Sequence, residues 1–141
     1  MKSELIKSIR IQPEAVSWEA AVAETAAPLL EEGIISPDYI DAMITNVKEN
    51  GSYIIIIPGF AMPHARPECG AIGNGLSILK LDKPVSFPGS EEVSLLMAFA
   101  AVNADEHLSV MSEMADVLMD DDKMDTLFNA GTSEVIRSQL V

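Results

Sequence analysis

The period of the apolar positions changes several times along this chain, and each change marks an element. In residues 5–12, Ile9 and Ile11 alternate with Arg10 and Gln12, the pattern of a strand that Pro13 closes. From Trp18 the period lengthens. Trp18, Val22, Thr25, Ala26, Leu29 and Leu30 share one helical face, with Ser17 as cap and Glu19 favourable in the first turn. Pro28 kinks this helix or marks its last turn, and Gly33 ends it. Ser36-Pro37-Asp38 opens a second helix, with Ser36 as cap and Pro37 at the first helical position. Its face is Ile40, Met43, Ile44 and Val47, and Asn50-Gly51 stops it. Residues 53–57 are then apolar without alternation, which predicts a mid-sheet strand covered by helices on both sides.

Asn74-Gly75 is a turn signal, and residues 76–81 read as a strand. Lys83-Pro84 turns the chain into a short extended piece, Val85-Ser86-Phe87, which Pro88-Gly89 ends. Residues 93–101 form a second wholly apolar, central strand. Asn103-Ala104-Asp105-Glu106 is a capping box. The helix it opens carries Leu108, Met111, Ala115 and Leu118 on one face. Asp120 caps a further helix bearing Met124, Leu127 and Phe128 and ended by Gly131, and Thr132 or Ser133 starts a last one. Strands alternating with helices predict an α/β fold: a single domain over 1–141, its sheet flanked by helices on both faces.

Composition narrows the class. The 141 residues are 48% hydrophobic and 22% charged, a globular balance with enough chain for a core. No apolar run reaches the ~20 residues a membrane helix needs, and no apolar region behind Met1-Lys2-Ser3-Glu4 suggests a signal peptide. The single cysteine, Cys69, allows no internal disulfide and suits a reducing cytoplasm. The net charge of −13 argues against nucleic acid and anionic membranes as partners and favours a basic protein. Taken alone, that charge is equally well accounted for by solubility.

The candidate chemistry centres on two histidines. His64 lies between Pro63 and Pro67, with Arg66 two residues on, in a stiff and exposed loop. His107 lies 43 residues later. Each comes just after an apolar strand, so parallel neighbouring strands would bring both to one sheet edge, where open α/β sheets bind ligands. Either histidine alone reads as an ordinary surface or capping residue; the pair points further. A neutral imidazole can attack phosphorus without a separate base, and transfer is then mostly positioning and charge stabilisation. Arg66 is either a surface charge or a further contact to the phosphoryl group.

Other motifs carry less. Cys69 beside His64 suggests a thiol hydrolase, but no nucleophile signature surrounds it. A zinc site from His64, Cys69, His107 and a carboxylate lacks paired ligand spacing. Asp120-Asp121-Asp122 reads as a solvated cap, and Gly70, Gly73 and Gly75 lack the Lys-Ser/Thr of a phosphate loop. The eight methionines read as core filler.

Tyr39-Ile40-Asp41-Ala42-Met43, the run Pro58-Gly59-Phe60-Ala61-Met62-Pro63-His64-Ala65-Arg66-Pro67, and Asp105-Glu106-His107-Leu108 together resemble the enzyme IIA domains of bacterial sugar phosphotransferase systems, mannitol/fructose-type class. The Pro-His-Ala-Arg-Pro-Glu wording is most similar to the ascorbate-type branch. The resemblance implies a mixed, roughly five-stranded sheet between helices and a cytoplasmic phosphotransferase with no metal or cofactor. It implies that His64 accepts a phosphoryl group from the phosphorylated histidine phosphocarrier protein, HPr. An enzyme IIB would then receive the group and phosphorylate a sugar, ascorbate or a relative, imported by a membrane IIC permease. His107 would stabilise the phosphoryl group. Mannitol-type members carry a functional arginine where this chain reads Thr45-Asn46-Val47-Lys48-Glu49, so Lys48 or Arg66 substitutes or the role is absent. The alternative is a regulatory module that keeps the fold and His64 but acts by binding a protein partner.

Overall fold

The structure is a computed structural model and describes residues 1–141. In chain order it runs β1 (Ile6–Gln12), α1 (Trp18–Glu31), α2 (Pro37–Asn50), β2 (Ile55–Ile57), β3 (Gly59–Ala61), β4 (Gly75–Phe87), β5 (Glu91–Ala100), α3 (Ala104–Leu118), α4 (Asp121–Asn129) and α5 (Ser133–Leu140). The strands form one mixed sheet in the order β1-β4-β5-β3-β2. β1 runs parallel to β4 and β3 parallel to β5, while β4–β5 and β2–β3 are antiparallel.

Each face of the sheet carries its own core. Ala21, Val22, Ala26 and Leu29 of α1 and Tyr39, Met43 and Val47 of α2 pack on one face. Val110, Met114 and Val117 of α3, Met124 and Leu127 of α4, and Ile136 and Leu140 of α5 cover the other. β5 shows why its sequence lacks alternation. Leu95, Met97 and Phe99 point into the second core, and Leu96, Ala98 and Ala100 into the first. Both sets are buried, so every position must be apolar.

Predicted caps recur at four helices. Ser17 accepts from the Ala20 N–H, Asn103 from Glu106, Asp120 from Lys123 and Thr132 from Val135. Ser36 occupies the cap position of α2 but its side chain makes no cap bond, because its backbone carbonyl already accepts the Tyr39 N–H at 3.1 Å.

Three expectations are corrected. Residues 53–57 are not a central strand: only Ile55–Ile57 pairs, at the sheet edge, with Ile56 exposed. The chain turns at Pro58-Gly59 and re-enters as β3, which takes the inner place beside β5. Gly59, at φ +89°, supplies the backbone conformation that turn needs. Lys83-Pro84 does not separate two strands; β4 continues through it with a register shift between Lys80 and Val85. In α3 the buried stripe is Val110, Met114 and Val117, whereas Leu108 is 67% exposed. The apolar arc of that helix is wide; its Val110 side joins the second core, and Leu108 is left lining the cleft.

Candidate active site

The loop after β3 and the helix after β5 emerge from neighbouring parallel strands, so His64 and His107 meet at one edge of the sheet. Their ring centroids lie 5.3 Å apart at 70°. The meeting at one edge is the one anticipated, but not through the strand anticipated: residues 55–57 lie at the sheet edge, antiparallel to β3, and β3 is the parallel neighbour of β5 that carries His64. Phe99, near the end of β5, lies beneath both: 4.8 Å from the His64 ring in a stacked arrangement and 5.1 Å from His107. Tyr53 approaches His64 edge-on at 6.1 Å.

His64 is therefore not an exposed loop residue, as the sequence suggested, but half-buried against Phe99. Its Nδ1 lies 2.6 Å from the Met62 carbonyl oxygen. A carbonyl only accepts, so Nδ1 carries the proton and donates it there, and the Nε2 lone pair is unshared. Burial pushes the His64 pKa below its ordinary 6.5; the hydrogen bond to Met62 partly opposes this, and the neighbouring His107 lowers it further. The imidazole is thus neutral at pH 7.

The backbone around His64 is fixed from both sides. The Phe99 N–H donates to the Pro63 carbonyl at 3.2 Å. The Ala65 N–H donates to the Tyr39 hydroxyl at 3.1 Å, and that hydroxyl lies 3.0 Å from the Phe99 carbonyl and 3.1 Å from the Ala65 carbonyl. Tyr39 is 1% exposed. Desolvation pushes its pKa up to about 12, so it remains a proton donor. Farther on, Pro67–Cys69 forms a 3-10 turn, and the Gly70 carbonyl accepts from the Ser36 N–H at 2.9 Å. Gly70 has φ +132°, and a Cβ there would collide with the Ser36 hydroxyl. It serves close packing rather than phosphate binding.

A cleft of about 620 Å³ opens over the two histidines. Arg66 lines it, exposed, as do Cys69, Tyr53 and Leu108. Lys48 does not; the last two turns of α2 contribute Asn46 and Asn50 instead. Both amide side chains line the cleft and can donate to a ligand oxygen. His107 stands in the first turn of α3, whose N-terminus is turned to the cleft through Ala104 and His107. No group of three or more His, Cys, Asp or Glu side chains gathers as a metal cluster.

Sequence reasoning missed Tyr39, Phe99, Tyr53, Asn46 and Asn50. Tyr39 did carry a signal, since a tyrosine in phase with Met43 and Val47 on a buried helix face must find a partner for its hydroxyl.

Residues 5–141 match the family "Phosphoenolpyruvate-dependent sugar phosphotransferase system, EIIA 2". The chain belongs to that family. As a member it is a phosphotransferase component of the enzyme IIA type. It is 36% identical over 128 residues to the mannitol-specific cryptic phosphotransferase enzyme IIA component of Escherichia coli (strain K12), covering 90% of this chain and 87% of that one. It is 35% identical over 133 residues to the ascorbate-specific EIIA component of the same strain, covering 92% and 86%. The solution structure of the E. coli cryptic mannitol-specific enzyme IIA superposes with a TM-score of 0.86 at 33% identity, covering 99% of this chain and 94% of that one. E. coli enzyme IIA of the mannitol system, in its complex with phosphorylated enzyme IIB, shares the fold with a TM-score of 0.80 at 19% identity.

Proposed function

We propose that this enzyme IIA carries its phosphoryl group on Nε2 of His64. The single observation behind that reading is the Nδ1–H donated to the Met62 carbonyl at 2.6 Å, which leaves Nε2 as the nucleophile in a ring lining the cleft. The Nε2 lone pair attacks phosphorus of the donor's phosphohistidine. An N–P bond forms to His64, the donor's P–N bond breaks, and the donor imidazole leaves with the electron pair and takes up a proton from solvent, while His64 keeps its own on Nδ1. Positive charge develops on the His64 ring, and the Met62 carbonyl stabilises it through Nδ1–H. His107, the amides of Asn46 and Asn50, and Arg66 supply donors to the phosphoryl oxygens. Lys48, exposed and away from the cleft, has no part in this.

The donor on this reading is the phosphorylated carrier HPr, a basic partner suited to a chain of net charge −13. The acceptor is a cognate enzyme IIB, which serves a IIC permease. The relatives named for mannitol and ascorbate stand at nearly equal identity, which supports a sugar or sugar acid of that kind. No helix is long and apolar enough to cross a membrane, which suits work in the cytoplasm. Incubation with phosphorylated HPr, followed by intact mass, tests the reading. One acid-labile phosphate is expected on the wild type and none on His64→Ala; phosphate retained by the variant contradicts it.

A further inference from the structure

The β3–β5 ladder does not stop at Ala61. In a regular parallel pair, one residue donates its N–H to a carbonyl on the partner strand and accepts at its own carbonyl from the N–H two residues farther along that strand. Phe99 makes the first of these bonds, N–H to the Pro63 carbonyl at 3.2 Å. The regular second bond would run directly from the Ala65 N–H to the Phe99 carbonyl. Here the Tyr39 hydroxyl stands between those two groups, 3.1 Å from the nitrogen and 3.0 Å from the oxygen. The ladder is thus opened, one residue past His64, by a single side-chain hydroxyl from the facing helix.

We propose that Tyr39 is a positioning residue for the reaction: by inserting its hydroxyl into the β3–β5 ladder, it sets where the chain leaves β5 and so where the His64 imidazole rests on Phe99. This rests on His64 as the phosphoryl acceptor. The hydroxyl matches its place. It offers one proton to the Phe99 or Ala65 carbonyl and a lone pair to the Ala65 N–H, in a core without water access. An apolar ring of the same size leaves the Ala65 N–H and the Phe99 carbonyl either unpartnered or drawn directly together. In the second case Ala65 closes onto β5 and carries His64 with it. Nδ1 then loses its alignment with Met62, and Nε2 its aim at the cleft.

Tyr39→Phe keeps the packing and removes only the hydroxyl. In the variant, ¹⁵N NMR of the His64 ring should show a reduced Nδ1–H tautomer and a shifted titration midpoint. Phosphoryl acceptance should fall about ten- to a hundred-fold, the scale of a small misplacement of a reacting group. An amide spectrum as dispersed as wild type checks that the fold persists. A folded variant with wild-type His64 tautomer, midpoint and rate overturns the proposal. If the variant does not fold, the wild type decides: a slowly exchanging Tyr39 hydroxyl proton with a nuclear Overhauser contact to the Ala65 N–H supports the inserted bond, and its absence overturns it. The tautomer measurement needs no phosphate. A wild type that takes no phosphate therefore sinks the carrier reading, while the ring spectrum still judges Tyr39.

Discussion

The two histidines reach the cleft by different means. His107 is placed by regular structure. β5 is ten residues long, and the helix after it begins at a cap where Asn103 accepts from Glu106 at 2.9 Å. The His107 N–H closes the first turn on the Asn103 carbonyl at 3.1 Å. His64 is placed by tertiary contacts. Its strand has three residues, and the loop beyond is held by Phe99, by the Met62 carbonyl and by the Tyr39 hydroxyl. A helix terminus positions a group from local sequence alone. The protonated nitrogen of His64 is held by the Met62 carbonyl two residues away, but the seating of its ring and loop needs neighbours from distant parts of the chain. In this chain those come from residues 39 and 99.

The sharpest break between the two arms is chemical. His64→Ala should abolish phosphorylation by the carrier, and its removal from the half-buried stack should destabilise the fold by about 1–2 kcal/mol. Intact mass and urea unfolding read the two effects. Phe99→Ala removes the platform under both rings from a fully buried site, at a cost of about 3–5 kcal/mol in chemical denaturation. Loss of a single donor is milder. His107→Ala should slow transfer by roughly ten- to a hundred-fold, as expected for about 1.5–3 kcal/mol per hydrogen bond to a charged oxygen. Rapid-quench kinetics check it; wild-type rates in both directions would show His107 to be only a helix-start residue.

The depressed pKa of His64 sharpens the same contrast. On the carrier reading its neutral form is the nucleophile, so acceptance should hold nearly constant from pH 8 down past 6.5 and fall only below the lowered midpoint. Between that midpoint and 6.5 the unfolded chain binds more protons than the folded one. Stability therefore rises with pH across this window and is lost as pH falls through it. A rate profile that turns at or above pH 6.5 contradicts the burial of the ring. The smallest effect belongs to the regular arm: Asn103→Ala should cost about 1 kcal/mol in thermal or urea unfolding through the lost cap, with the transfer rate nearly unchanged.

The same division decides what was legible in the sequence. Helix starts were, because Ser17, Asn103, Asp120 and Thr132 act on N–H groups three residues away. The pairing of His64 with His107 was legible only in part: parallel strands do bring equivalent ends to one edge, but the strand that does so is β3, hidden behind Pro58-Gly59, and not residues 53–57. The edge position of residues 55–57 was not legible, since a run of isoleucines reads the same whether one face or both are covered. The hidden face of α3 was not legible either, because Leu108 and Val110 both belong to one broad apolar arc. Nor was the burial of His64, which depends on a phenylalanine 35 positions away whose period-2 setting says only that it is inside.

The most direct test of His64 as an Nε2 phosphoryl carrier is long-range ¹H–¹⁵N NMR of the phosphorylated protein, with the His64 ring nitrogens assigned. The geometry predicts phosphate on Nε2, with Nδ1 still protonated and bonded to the Met62 carbonyl. Phosphate on Nδ1, or a His64 ring unchanged while phosphate resides elsewhere, would contradict it.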